Sequence, residues 1–173
     1  MDFKFIPGAL ESLASLASLP VKVFIVTNQS AIYRGLLTAG DLEHIHGMME
    51  FEIVSIGGRI DGLKYCPHMP RDKCKCRKPS SLLFEELARE HAIDLDRSIN
   101  IGDSMRDMEA GIKAGMKNIL VRTGQGKLAE TELVHQNIKV DYVVDNLKEA
   151  VEIVSKIVNE EKRGCGNSLE DCQ

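Results

Sequence analysis

Apolar residues recur along this chain in two rhythms, one helical and one of short buried runs, and the two alternate. Leu10, Leu13 and Leu16 stand at helical spacing, so residues 8–19 are predicted to form a helix. Residues 21–26 are short and β-branched, which predicts a buried strand stopping at Thr27. Residues 38–56 read as a second helix, with Thr38 as N-cap and Asp41 three residues later forming a capping box. Gly57-Gly58 ends it. Residues 59–65 predict a short strand, and residues 79–91 an amphipathic helix carrying Leu82, Leu83, Leu87 and Ala88. The rest predicts a strand over 98–101, a helix over 104–114, a strand over 117–121, a helix over 127–135, a strand over 140–144 and a helix over 146–159. Residues 160–173 are polar and glycine-bearing and are expected to fray.

Strands alternating with helices predict an α/β fold around a parallel sheet. At 173 residues, with no internal repeat or low-complexity linker, one domain over 1–159 followed by a tail over 160–173 is expected. Apolar residues make up 43% of the chain, which suits a globular protein, and the net charge of −4 gives no reason to expect nucleic acid or an anionic membrane as partner. The longest apolar stretches are far too short to span a bilayer. Met1-Asp2-Phe3-Lys4 does not open like a signal peptide. A cytoplasmic location and a monomer are expected. There the five cysteines read as metal ligands or free thiols before disulfides. Cys165 and Cys172 read as free thiols in the tail.

The densest chemistry lies between Cys66 and Pro79. Cys66, His68, Cys74 and Cys76 place three thiols and one imidazole within eleven residues, a tetrahedral zinc set with no position left for substrate. The metal would be structural, stiffening a long loop. Arg77 and Lys78 follow at once, ahead of Pro79 at the expected helix start. Cations there oppose the helix dipole at about 0.3–1 kcal/mol each, a penalty that an anionic ligand would reverse. The plainer alternative is a solvated basic pair.

In open α/β sheets ligands sit beyond the carboxyl ends of the strands. Two segments fall there. Gly102-Asp103-Ser104-Met105-Arg106-Asp107 turns from strand to helix; Asp103 is placed to bind Mg²⁺, and Asp107 either caps the helix with Ser104 or supports the metal site. Thr27-Asn28-Gln29-Ser30 follows the first predicted strand and offers hydroxyls and backbone N–H groups to phosphate oxygens, or is a plain polar turn.

Together Thr27-Asn28-Gln29-Ser30, the Cys/His loop running into Cys76-Arg77-Lys78-Pro79, and Gly102-Asp103 with Asp107 resemble the haloacid dehalogenase superfamily of phosphatases. Within it they resemble the subfamily that holds the heptose-bisphosphate and histidinol-phosphate phosphatases, and Leu120-Val121-Arg122-Thr123-Gly124 is closer to the heptose branch. The resemblance runs from Phe5-Ile6-Pro7-Gly8 to the helix after Tyr142. It implies a capless, Rossmann-like three-layer core with a zinc-binding loop. It also implies Mg²⁺-dependent hydrolysis of a small phosphorylated substrate, D-glycero-D-manno-heptose 1,7-bisphosphate before histidinol phosphate, through an aspartyl-phosphate. Thr27 would hold the transferring phosphoryl group, Asn28, Gln29 and Ser30 would line its site, Lys78 would neutralise charge, Arg77 would contact substrate and Asp103 would bind Mg²⁺.

The same resemblance implies a part this sequence does not show. The family's nucleophile and its acid–base partner sit in an Asp-x-Asp motif after a first strand, ahead of a segment like Phe5-Ile6-Pro7-Gly8. Here only four residues precede Phe5, and Asp94-Leu95-Asp96 precedes a predicted strand instead of following one. The first, central strand is therefore expected to be missing, as in an N-terminally truncated product, and the chain alone is expected to be inactive. A non-catalytic, zinc-stabilised phosphosugar-binding protein is the alternative. Strands ending at Thr27 and Gly102 would then present unpaired edges, and each buried unpaired backbone group costs on the order of 1–3 kcal/mol.

Overall fold

A computed structural model describes residues 3–166; Asp2 and the thiols of Cys165 and Cys172 lie outside the described residues. The elements run α1 (Ala9–Ala17), β1 (Phe24–Asn28), α2 (Ala39–Ser55), β2 (Gly62–Cys66), α3 (Leu82–His91), β3 (Ile99–Gly102), α4 (Met105–Lys113), β4 (Lys117–Val121), α5 (Gly126–His135), β5 (Tyr142–Val144) and α6 (Leu147–Gly166). A 3-10 turn, Pro70–Asp72, lies in the cysteine loop.

Local signals explain most of the boundaries. Thr38 Oγ1 accepts from Asp41 N at 3.0 Å while Asp41 Oδ2 accepts from Thr38 N at 2.8 Å, the reciprocal pair that starts α2. Gly58 N donates to Ile53 O at 2.9 Å and closes that helix. Several boundaries depart from expectation, β2 among them, which begins at Gly62 and not at residue 59. β1 begins at Phe24 because its register on β2 is set from Phe24↔Gly62 to Asn28↔Cys66. Ahead of that ladder the side chain of Asp61 takes Val23 N at 2.6 Å. α3 begins at Leu82, not Pro79: Ser80 N donates to Arg77 O at 3.0 Å, so Pro79 sits inside a turn. Arg77 and Lys78 thus belong to a turn ahead of the helix, and the expected clash with the helix dipole does not arise. α6 continues past residue 159 to Gly166.

All ladders are parallel. β1 pairs with β2, and β4 lies between β3 and β5. Side chains alternate across β4 and build two cores. Ile119 and Val121 pack with Leu16 of α1 and Ala150, Val151 and Val154 of α6. Leu120 packs on the other face with Met105 and Met108 of α4 and Ala129 and Leu133 of α5. The result is three layers, helix on sheet on helix. Val23, just ahead of β1, joins Ile99 and Ile101 of β3 around the first core, so both strand groups share one interior.

Between β1 and β3 no ladder forms. Val23 O and Gln29 N bond across to Asp61 N and Cys66 O, at 2.7 Å each. Odd-numbered residues of β1 therefore turn their peptide groups to β2, and Phe24, Val26 and Asn28 turn theirs to the opposite edge. On the other side Ser98 O accepts Lys117 N at 3.0 Å, so Ile99 and Ile101 turn theirs away from β4. Each strand group ends in an open edge there. Every residue of β1 is only partly buried, although its composition is that of an interior strand.

Candidate active site

The carboxyl ends of β1, β2 and β3 converge, and four segments meet there. Thr27 and Asn28 close β1. The amide of Asn28 grips the main chain of Lys78 twice: Nδ2 donates to Lys78 O at 3.2 Å and Oδ1 accepts Lys78 N at 3.1 Å. Lys78 thereby points its ammonium into the opening between the strand groups. Nζ donates to Val26 O at 2.6 Å and pairs with Asp107 Oδ1 at 2.5 Å, with each ionic side chain only 12% exposed. An ammonium has three donors, and those two acceptors leave one proton of Lys78 for a ligand.

Asp107 serves two structures at once. Its Oδ2 accepts from Ser104 Oγ at 2.6 Å and Ser104 N at 3.1 Å, forming the capping box of α4, while Oδ1 holds Lys78. A Cβ on Gly102 would collide with the Asp107 side chain, so the bare backbone at the end of β3 is what lets this carboxylate lie flat against it. Asp103 stands next door. Its Oδ2 accepts Gln125 N at 3.0 Å, and Gly124, at φ 58°, brings that loop against the carboxylate where any Cβ would strike Oδ2. The second carboxylate oxygen has no partner among the described residues. It is a hard oxygen donor at a strand's carboxyl end, which fits Mg²⁺.

The cysteine loop leaves β2 at Cys66 and returns to the site at Lys78. Cys66 Sγ lies 3.6 Å from both His68 Nδ1 and Cys74 Sγ, and Cys76 Sγ lies 3.4 Å from His68 Nδ1 and 3.6 Å from Cys74 Sγ. All four ligand atoms fall within 4.8 Å of one another. A tetrahedron with metal–sulfur bonds of about 2.3 Å has edges of roughly 3.8 Å, so the set fits Zn²⁺. Burial pushes the Cys66 thiol up, and burial with the neighbouring thiols pushes Cys76 up to about 12. Burial also opposes the Cys74 thiolate, but hydrogen bonds from Arg77 N and the two thiols outweigh it, and that pKa falls. Three sulfurs this close need a divalent cation before all can ionise.

Not every residue singled out in the sequence faces this opening. Ser30 is buried, and its Oγ accepts from Arg34 Nη2 at 2.7 Å. Arg77 turns back to donate to His68 O at 2.9 Å, bracing the cysteine loop. Gln29 Nε2 donates to Thr27 Oγ1 at 3.3 Å. Sequence reasoning passed over a buried amide pair between β3, β4 and α4. Buried Asn100 donates to Asp107 O and to Asn118 Oδ1, both at 2.9 Å, and Asn118 donates to Met116 O at 2.8 Å. The signal was present: an asparagine occupies the second position of two consecutive apolar strands, and the two are register partners.

This arrangement has known counterparts. The HAD-hydrolase-like family model matches residues 75–150. A Haemophilus influenzae D-glycero-β-D-manno-heptose-1,7-bisphosphate 7-phosphatase is 34% identical over 163 residues, covering 90% of this chain and 86% of that protein. A Bordetella bronchiseptica protein of the same name is 38% identical over 122 residues, covering 70% and 68%. The crystal structure of the B. bronchiseptica D,D-heptose 1,7-bisphosphate phosphatase, complexed with magnesium and phosphate, superposes at a TM-score of 0.81 with 33% identity over 88% of this chain and 84% of that one. The chain belongs to this family of haloacid-dehalogenase-like phosphatases. Asp94-Leu95-Asp96 lies elsewhere, in the turn before β3, where Asp94 Oδ1 accepts Asp96 N at 3.0 Å and Asp94 O accepts Ser98 Oγ at 2.6 Å. No helix among the described residues is long and apolar enough to cross a membrane.

Proposed function

We propose that this protein is the phosphatase that removes the 7-phosphate of D-glycero-β-D-manno-heptose 1,7-bisphosphate. The observation that carries this reading is the likeness to the H. influenzae enzyme along 90% of the chain. The site's chemistry agrees with it. Phosphoryl transfer is chiefly positioning and charge neutralisation. Thr27 Oγ1 holds a phosphoryl oxygen, the free donor of Lys78 meets a second, and the open oxygen of Asp103 is the protein's ligand to Mg²⁺, which neutralises phosphate charge when bound. Asn28 acts through Lys78, whose main chain it holds. The zinc set keeps the loop that delivers Lys78 folded.

The nucleophile is a separate matter. Asp107 is consumed by Lys78 and Ser104, and Asp103 by Gln125 and its metal role, so neither is free to accept a phosphoryl group. That observation also supports a second reading, a phosphosugar-binding protein without turnover.

Titrating heptose bisphosphate and histidinol phosphate into the chain with Mg²⁺ tests the site. Binding of the heptose ester that is lost in Lys78→Met supports it; unchanged binding by that variant overturns it. Assaying phosphate release from the heptose ester then separates enzyme from binder.

A further inference from the structure

We propose that Arg122 is a positioning residue of the metal site: its guanidinium ties the end of β4 to the first turn of α5 and to the end of β5, and thereby holds the Gln125 N–H against Asp103, which rests on Asp103 serving as the Mg²⁺ ligand. Among the described residues the Asp103 carboxylate has one hydrogen bond, the one that Oδ2 accepts from Gln125 N at 3.0 Å. A carboxylate tethered at one oxygen presents the other in a fixed direction. Untethered, it turns freely about its last bond and must be ordered again each time a cation arrives. The outer partners of a metal ligand set its direction and, through it, the affinity for the metal. What places Gln125 N therefore decides how well Asp103 can hold a cation.

Gln125 closes a short link, Thr123-Gly124-Gln125, that hangs between Arg122 and the start of α5 at Gly126. Within the link Gly126 N donates to Thr123 O at 2.9 Å, and Gly124 stands at a φ of 58°. Arg122 fixes both of its ends. Its N–H donates to Val144 O at 2.8 Å and carries the β4–β5 ladder one step further. Its Nε and Nη2 clamp the two oxygens of Glu130 at 2.7 Å each, one turn into α5. Its Nη1 donates to Asp145 Oδ1 at 2.8 Å, just past β5, and Asp145 N is in turn held by Glu149 Oε2 at 3.0 Å. One planar fork thus sets the spacing between the end of β4 and the start of α5. That spacing has to be short, because Gly126 sits so close on Val121 O that a Cβ there would collide with it. Folding alone does not call for so complete a clamp: the side chains of Arg122 and Glu130 are 32% and 35% exposed, and ion pairs this wet add little to stability. Nor does charge, since a cation on this loop opposes a divalent ion. The role left to Arg122 is geometric.

The test uses the zinc-loaded, full-length chain and Mn²⁺ as the probe, titrated by water-proton relaxation into wild type, Arg122→Met, Arg122→Lys and Glu130→Gln. Two controls accompany them: Asp103→Asn, and Lys64→Met, which removes an ion pair between β2 and α3. Amide exchange is read at Gln125 and Leu120 without Mn²⁺. Affinity should fall at least about fivefold in Arg122→Met and Glu130→Gln. It should fall less in Arg122→Lys, which keeps the charge without the fork, stay unchanged in Lys64→Met and vanish in Asp103→Asn. Exchange at Gln125 should quicken about tenfold in Arg122→Met while Leu120 keeps its protection. Tighter Mn²⁺ binding by Arg122→Met would show that Arg122 acts as a charge alone, unchanged binding that it does not reach the site, and equal quickening at Leu120 that the variant loosens the whole sheet; each overturns the proposal. Binding that persists in Asp103→Asn would instead remove the metal role of Asp103, and the proposal with it.

Discussion

Lys78 and Asp107 bind each other at 2.5 Å with both side chains almost wholly enclosed, and the same Lys78 ammonium reaches Val26 O of the other strand group at 2.6 Å. Removing one partner leaves the other charged and unpaired in a poorly hydrated space, at a cost of about 3 kcal/mol. Lys78→Met and Asp107→Asn should each lower the urea midpoint by a corresponding amount. The double variant should lose clearly less than the sum. Additive losses in a double-mutant cycle would show that the pair does not interact in solution.

Ser104 and Thr38 head capping boxes with aspartates three residues on, but the first box shares its carboxylate with Lys78 and the second stands in solvent. Thr38→Ala should cost about 1 kcal/mol in equilibrium unfolding. Ser104→Ala should cost more and should also weaken Mg²⁺-dependent phosphate binding, because Asp107 is then held from one side only. Equal effects of the two on phosphate binding would separate the cap from the site.

Zinc should bind with release of about two protons or more at neutral pH, since Cys66 and Cys76 are both held protonated by burial until a cation arrives, Cys76 up to about 12. Calorimetric titration of metal-free protein in two buffers of different ionisation enthalpy measures that number directly. Stripping zinc with a strong chelator should free the residues 66–78 loop and abolish phosphate binding while leaving the α4–α5 face of the sheet folded, which amide exchange at Leu120 reports.

Glu130 and Arg122 give a signed pH dependence. Paired hydrogen bonds from Arg122, at 2.7 Å each, hold the Glu130 carboxyl below the usual carboxylate range. A carboxyl whose folded pKa is depressed contributes stability above its unfolded pKa, and that contribution disappears as pH falls through the folded one. Wild type should therefore lose stability more steeply than Glu130→Gln below about pH 4.5. Parallel acid limbs in pH-dependent melting would show the pair to be energetically silent.

Gly124→Ala places a methyl against the Asp103 carboxylate at a positive φ. It should impair Mg²⁺ binding more than its modest loss of thermal stability would suggest, and titration with Mn²⁺ as a paramagnetic stand-in checks this.

How much of this could be read before any coordinates depends on the range of the forces involved. Thr38/Asp41 and Ser104/Asp107 were legible because a capping box is complete within four residues. Cys66, His68, Cys74 and Cys76 were legible because metal spacing is equally local. The start of β1 was not, since its register depends on Asp61 and β2, almost forty residues on. Nor was the start of α3: Pro79 favours a first helical turn locally, but Asn28 fixes Lys78 from a distant strand and forces a turn there. The burial of Ser30 was not legible either, although the Arg34 that donates to its hydroxyl is only four residues on, because burial is set by the rest of the fold. Asn100 and Asn118 stayed hidden because a buried amide becomes intelligible only when its partner strand is in place.

The contact of α1 with α6 has a bearing on how the chain is made. Leu16 finds its cover in Val151 and Val154, residues that leave the ribosome more than a hundred positions later. Until then the first helix has only the strands on one side to lie on, and the nascent protein must wait, exposed to chaperones and proteases, for its final helix to complete the cover.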